Sequence, residues 1–272
     1  MKKIIAEIGY NAGKTDDLTL AYTFISEAIK AGAWAVKFQK WDIDAIPEDV
    51  KASKRDLKDS WAPTYYEHRK AVEFTIEQLK LLKHETLIQG AEFIVSGKDF
   101  NSIKLLAENG FTHIKIPSQL AYDIDIYNYL HKIKEVTVYV SLGMCNEEDY
   151  KRCSWNFENA IKFHCHSEYP VPLQNVNLSV LNRYPFQGYS SHEVDAEACS
   201  FAMSIPSVEY IERHFTIDKT LKGRDNSTVS SDISEFTKLC KDASNYDMFF
   251  KDRERVMTLQ EESISEFYKG IV

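Results

Sequence analysis

Paired cysteines, long apolar runs and net positive charge are all missing from this 272-residue chain, and each absence removes a class of protein. Cysteine occurs five times, at Cys145, Cys153, Cys165, Cys199 and Cys240, with no CxxC pair. So odd and scattered a set suggests neither a disulfide framework nor a structural zinc site; free thiols in a reducing cytoplasm are expected. No apolar run approaches the ~20 residues that cross a bilayer. The opening MKKIIAEIGYNAG has only a short apolar stretch, broken by Glu7, which is too short and too acidic for a signal peptide. A cytoplasmic protein without a membrane role is therefore expected. The formal net charge of −8 argues against a general nucleic-acid binder, which needs a basic face. It leaves room for an anionic small molecule, because a few Lys and Arg side chains in a cleft set the local field. No linker, internal repeat or low-complexity tract interrupts the chain.

What is present points to one large α/β domain, residues 1–272. Hydrophobic residues make up 44% and charged residues 27%, and a barrel of eight strands and eight helices needs ~250 residues. Eight short β-rich runs recur along the sequence: Ile4–Ile8, Trp34–Gln39, Glu92–Ser96, His113–Pro117, Val136–Ser141, Ala160–Cys165, Phe186–Ser190 and Glu209–Phe215. Amphipathic stretches lie between them; in the first, Leu18, Ala21, Phe24, Ile25, Ala28 and Ile29 fall at helical spacing. Gly32, Gly90 and Gly110 stand where helix-ending glycines belong. Regular strand–helix alternation implies a parallel sheet, and a count of eight favours a closed (β/α)8 TIM barrel over an open doubly wound sheet. Asp42 to Thr75 breaks the rhythm. It is charged, holds Pro47 and Pro63, and reads as a long insertion after the second strand, of a length that is usually functional. The tail after Asp242 reads as one or two terminal helices.

Polar residues gather at the carboxyl ends of the strands, where barrel enzymes carry their chemistry. They are Glu7, Lys37 with Gln39, Ser96, Lys115 with Ser118, Ser141, the His164-Cys165-His166 triplet, Ser190 with His192, and Glu212 with His214. Lys115 is flanked by Ile114 and Ile116, so a period of two turns it into the barrel if the isoleucines face the helices; Lys37 follows the same rule. Two lysines in an apolar barrel mouth are costly unless an anion lies between them, and the serine hydroxyls suit a phosphate or carboxylate. Alternatively, each lysine snorkels to solvent. His192 and His214 end the last two strands with Glu193 and Glu212 beside them, and neutral imidazoles suit Mn, Fe, Co or Zn. His164 and His166 could also ligate or line the site. His68, His84 and His131 need no functional role.

These residues sit in segments that resemble the sialic acid synthase family. AEIGYN, AGAWAVKFQKW, IKIPS, SLGM, HCHSEYPVP, GYSSHEVD and IERHFTIDKTLKGRDNSTVS occur in family order across roughly residues 4 to 240. The resemblance implies a metal-dependent condensation of phosphoenolpyruvate with a sugar aldehyde, N-acetylmannosamine or a relative. It implies metal ligation by His192 and His214, with Mn2+ as the expected ion and Mg2+ or Co2+ as alternatives. Phosphoenolpyruvate would be held by Lys37, Ser96, Lys115, Ser118, Ser141 and Ser190. Glu7, Glu212 and Asp225 would handle protons and positive charge, and Gln39, Tyr169 and Gln119 would meet the sugar.

Four departures bear on the acceptor. The chain has no room after the barrel for the family's small antifreeze-like C-terminal domain and its arginine, so a homodimer or a partner chain is expected to compensate. The glutamate expected near Leu120 is missing, with Gln119 adjacent; the first loop keeps Asn11 without its histidine; and Asn226 follows Asp225 where the family has histidine. The phosphoenolpyruvate and metal residues look intact while the sugar residues are altered. Condensation with another aldose, or a non-catalytic relative that binds ligand or a partner, are the competing expectations.

Overall fold

The computed structural model describes residues 2–150, 159–250 and 254–269. Eight parallel strands close on themselves in sequence order: β1 (Lys3–Glu7), β2 (Ala35–Lys40), β3 (Glu92–Gly97), β4 (His113–Ile116), β5 (Thr137–Ser141), β6 (Ile161–Cys165), β7 (Gly188–Ser191) and β8 (Tyr210–His214). β8 pairs with β1 from Lys3 opposite Tyr210 to Glu7 opposite His214. The expected TIM barrel is the observed fold. The expected strands are all present, with ends differing by one or two residues.

Alternation along each strand divides the side chains between two environments. One parity faces the helical layer and joins the main core, with Ile4, Ala6, Val36, Phe38, Val95, Ile114, Ile116, Val140 and Ile211 all buried. The other parity fills the barrel interior. Ile5, Ala35, Ile94, Tyr139, Phe163 and Tyr210 form a separate small cluster there. Two residues further on, the same interior faces present Glu7, Lys37, Ser96, Ser141, Cys165 and Glu212, which ring a cavity at the carboxyl end. An apolar plug below and a polar ring above follow from a period of two.

Among the described residues the α-helices are α1 (Thr19–Lys30), α2 (Glu48–Lys51), α3 (Tyr65–Val72), α4 (Ile76–Ile88), α5 (Phe100–Glu108), α6 (Ile124–Leu130), α7 (Val180–Arg183), α8 (Glu197–Met203), α9 (Arg224–Thr228), α10 (Ile233–Phe249) and α11 (Leu259–Lys269). Gly32, Gly90 and Gly110 adopt positive φ after α1, α4 and α5, as a helix-ending glycine does. The insertion carries its own structure: a 3-10 turn, α2, an isolated bridge between Lys54 and Thr64, and α3. Thr64 caps α3, and Thr75 and Gln78 form a capping box on α4. Glu73 fastens the insertion to the barrel. Its carboxylate accepts from the Lys40 ammonium at 2.9 Å, the Trp41 backbone N–H at 2.8 Å and the Arg69 guanidinium at 2.8 Å. The tail differs from expectation in its boundary, since α10 runs through Asp242 to Phe249. Cys165, Cys199 and Cys240 are free thiols, and Cys153 lies outside the described residues.

A cationic cavity at the barrel mouth

A cavity of ≈ 320 Å³ opens at the carboxyl end of the strands; His164 and His166 do not line it, while the fourteen residues given roles above through the family resemblance do. Parity brings most of them there; the loops after β4, β6 and β8 deliver Ser118, Gln119, Tyr169 and Asp225.

Lysines and carboxylates interlock at the floor. Lys37 Nζ lies 2.5 Å from Glu7 Oε2 and 3.5 Å from Glu212 Oε1, and donates to Ser96 Oγ at 3.2 Å. Lys115 Nζ donates to Glu212 Oε2 at 2.8 Å and sits 4.2 Å from the centre of the Phe163 ring. Ser190 Oγ donates to the other oxygen of Glu212 at 2.9 Å. Both lysines are buried, which disposes of the snorkelling alternative. Burial is the largest influence on Glu212 and opposes ionisation, but the two ammonium groups together overcome it and hold the carboxyl well below its usual range. Burial also acts first on both lysines. Lys37, with two carboxylates, ends above its usual value, whereas Lys115, with one, ends below.

The serines form a donor rim. Ser118 Oγ accepts from the Gly143 backbone N–H at 3.0 Å and lies 3.3 Å from Cys165 Sγ. A Cβ on Gly143 would come within 2.5 Å of Cys165 Sγ and 2.6 Å of Ser167 Oγ, so only glycine lets this backbone approach so closely.

His192 follows β7 and His214 ends β8, with ring centres 5.7 Å apart. His192 Nδ1 bonds the His166 carbonyl, and its Nε2 lies 2.9 Å from the Tyr169 hydroxyl. His214 Nδ1 is 3.8 Å from Asp225 Oδ2. Burial drives both imidazoles downward, His192 to about 4, so both are neutral and can offer lone pairs to a cation. Burial, seconded by Glu7, raises Asp225 to about 6. Among the described residues no group of three or more His, Cys, Asp and Glu side chains has metal-binding geometry.

A buried network fixes the strands that carry these histidines. Arg213, fully buried between Glu212 and His214 in sequence, points outward. It donates to Ser231 Oγ and Ser191 Oγ at 2.9 Å each, to the Glu193 carbonyl at 2.7 Å and to the Val194 carbonyl at 2.6 Å. Tyr189 and Ser191 both donate to the Glu193 carboxylate. Asn11 donates to the Phe215 carbonyl at 2.9 Å and Ser230 Oγ at 3.0 Å, and Asn226 to the Asn11 carbonyl at 3.3 Å. Asn226 thus ties the loops after β1 and β8 together, away from the cavity. His164 also faces away, packed against Phe186 and Tyr189.

Sequence reading missed one wall of the cavity. Tyr10, Trp41, Arg55, Tyr65, His68, Arg69 and Lys98 line it, most of them from the insertion. His68, given no role from sequence, accepts from the Trp61 backbone N–H at 3.2 Å and meets the Tyr10 ring edge-on at 5.9 Å.

The model of the NeuB family matches residues 24–255. The N-acetylneuraminate-9-phosphate synthase of Homo sapiens is 34% identical over 239 residues, which cover 82% of this chain and 64% of that protein. The N,N'-diacetyllegionaminic acid synthase of Legionella pneumophila is 32% identical over 253 residues, covering 87% of this chain and 69% of that one. The solved structure of the N-acetylneuraminic acid synthetase of Leptospira borgpetersenii superposes with a TM-score of 0.80 at 26% identity, over 99% of this chain and 92% of that one. The chain thus spans 64% of the length of its human relative.

Proposed function

The chain belongs to the NeuB family, and on that footing we propose that it is an enzyme condensing phosphoenolpyruvate with an open-chain amino sugar or related aldose to give a nonulosonic acid and phosphate. One observation carries the reading: Lys37 and Lys115 are buried at the floor of a single cavity, under a rim of Ser96, Ser118, Ser141 and Ser190, in a chain whose net charge is −8. Two buried ammonium groups beside hydroxyl and backbone donors suit a small dianion.

Lys37, with Ser96 beside it, takes the carboxylate of phosphoenolpyruvate, and Lys115 with the Ser118, Ser141 and Ser190 hydroxyls takes its phosphate. Held there, C3 of the enol faces the aldehyde carbon of a sugar lying against Gln39, Gln119 and Tyr169. C3 forms the new bond, the aldehyde oxygen takes a proton to become a hydroxyl, and C2 is left cationic. Glu7 and Glu212 line that point and stabilise the positive charge. Water adds at C2 and gives up a proton, and the adduct collapses to the 2-keto acid with loss of phosphate. Asp225, which burial and Glu7 raise towards neutrality, is the carboxyl assigned to exchange protons with the sugar oxygen.

The neutral His192 and His214 fit a divalent cation, with Mn2+ the first choice and Mg2+ or Co2+ alternatives, provided water or substrate supplies the remaining ligands. Such an ion would polarise the aldehyde oxygen. No helix among the described residues is long and apolar enough to cross a membrane, and the free thiols suit the cytoplasm, where we place the reaction.

The test is phosphate release from phosphoenolpyruvate with Mn2+ and a panel of aldoses headed by N-acetylmannosamine, with and without chelator. Sugar-dependent, chelator-sensitive release is expected. Absence of both release and phosphoenolpyruvate binding would overturn the proposal.

A further inference from the structure

Cys165 lines the cavity beside the serine rim, and the condensation as described gives it no task. It ends β6, paired in register with Ser190 of β7, and is 2% exposed. Its Sγ lies 3.3 Å from Ser118 Oγ, close enough for a hydrogen bond in which either atom could donate. A second contact decides which. Ser118 Oγ already accepts from the Gly143 backbone N–H at 3.0 Å. The three groups pack against one bare α-carbon, since a Cβ on Gly143 would stand 2.5 Å from Cys165 Sγ and 3.0 Å from Ser118 Oγ.

A hydroxyl has one proton and two lone pairs. With Gly143 on one lone pair, Ser118 has one lone pair and one proton left to divide between Cys165 and the cavity. If the hydroxyl donates to sulfur, the cavity meets a lone pair, which repels an anion. If the thiol donates to oxygen, the hydroxyl proton is left to point at the ligand. Sulfur is a weak acceptor and a phosphate oxygen a strong, charged one, so the second arrangement wins once an anion is present. Burial raises the Cys165 thiol above its ordinary value, so at neutral pH it keeps the proton it must donate.

We propose that Cys165 is a positioning residue for the anion site: its thiol donates to Ser118 Oγ and thereby turns the Ser118 hydroxyl proton towards the phosphate. The proposal rests on the condensation reading, with phosphoenolpyruvate on the floor and Ser118 on its phosphate.

The test is calorimetric titration of phosphoenolpyruvate, without acceptor, into wild type, Cys165→Ala, Cys165→Ser, Ser118→Ala and the Cys165→Ala/Ser118→Ala double variant, with thermal melts to check folding. Alanine and serine both lose the sulfur and its packing, but serine keeps a donor. Cys165→Ala should bind roughly 3- to 10-fold more weakly, the worth of one neutral hydrogen bond, while Cys165→Ser stays within about twofold of wild type. Once Ser118 is alanine, removing the thiol should cost less than about twofold further. Infrared difference spectra supply a second reading: the S–H stretch of Cys165, identified by its loss in Cys165→Ser, should move to lower frequency when phosphoenolpyruvate binds. A hydroxyl that donates to an anion becomes the better acceptor and strengthens the thiol's bond. This reading needs only wild type and Cys165→Ser, so it decides even where the alanine variant does not fold. Unchanged affinity in folded Cys165→Ala, an equal loss in the serine variant, an undiminished loss in the Ser118→Ala background, or an S–H band that stays put would overturn the inference. Failure of wild type to bind phosphoenolpyruvate would instead overturn the condensation reading beneath it.

Discussion

Replacing Lys115 with methionine removes one charge from the floor while leaving a chain of similar length over Phe163. Lys115 Nζ donates to Glu212 Oε2 at 2.8 Å and lies 4.2 Å from the Phe163 ring centre. Methionine keeps the ring contact, so little packing is lost. Glu212 is not orphaned, because Lys37 remains at 3.5 Å and Ser190 at 2.9 Å. The stability loss should therefore sit at the low end of that for breaking a buried ion pair, about 3 kcal/mol or less. Ligand binding should suffer more. One charge-assisted contact, worth roughly 1.5–3 kcal/mol, disappears from the phosphate side, which weakens affinity roughly 10- to 150-fold. The Glu212 carboxylate, less screened, then repels the incoming dianion, so the upper part of that range is expected. Calorimetric titration of phosphoenolpyruvate into wild type and Lys115→Met, beside thermal melts, reads both quantities. A folded variant that binds within about threefold of wild type would refute the assignment of Lys115 to the anion site.

Three further outcomes follow from the geometry. His192→Ala should weaken Mn2+ binding, read by electron paramagnetic resonance of the free ion, by at least ~10-fold; unchanged affinity would move the metal elsewhere. Gly143→Ala brings a Cβ to 2.5 Å from Cys165 Sγ and 3.0 Å from Ser118 Oγ, so about 1–3 kcal/mol of stability and much of the phosphoenolpyruvate affinity should be lost; a tight-binding variant would show that this turn is not part of the cradle. His164, buried, is lowered to about 4 chiefly by burial, against ~6.5 in the unfolded chain. A lowered folded value means its contribution is fully present above pH ~6.5 and is lost as pH falls towards 4, amounting to about 3 kcal/mol. Denaturant melts of His164→Leu should therefore show a shallower loss of stability across that window than wild type, and parallel curves would contradict the account.

The barrel was legible because its signals are local. A period of two, repeated eight times between helical stretches, specifies both the closed parallel sheet and the inward direction of Lys37 and Lys115. Strand ends slipped by a residue or two because hydrogen bonding, not hydropathy, decides where a strand stops. Arg213 shows the same rule working in reverse. It sits among the polar residues that close β8, yet its parity turns it away from the cavity into the network that braces β7. Lys98 was readable and passed over: it lies two residues beyond Ser96, on the same face of the chain as it leaves β3. Arg55, His68 and Arg69 had no such signal. They reach the cavity through the fold of a 34-residue insertion whose position depends on Glu73 binding Lys40, Trp41 and Arg69, contacts that no periodicity encodes. The role of Asn226, which ties two loops together, was hidden for the same reason.

The central claim is that a carbon–carbon bond forms at C3 of phosphoenolpyruvate, and mass spectrometry with phosphoenolpyruvate labelled with 13C at C3 tests it most directly. With Mn2+ and an accepted aldose, the label should appear in a sugar acid whose mass equals acceptor plus phosphoenolpyruvate plus water less phosphoric acid, with one phosphate released for each. Label recovered only in pyruvate, or in unchanged phosphoenolpyruvate with every acceptor, neutral or anionic, would contradict the account.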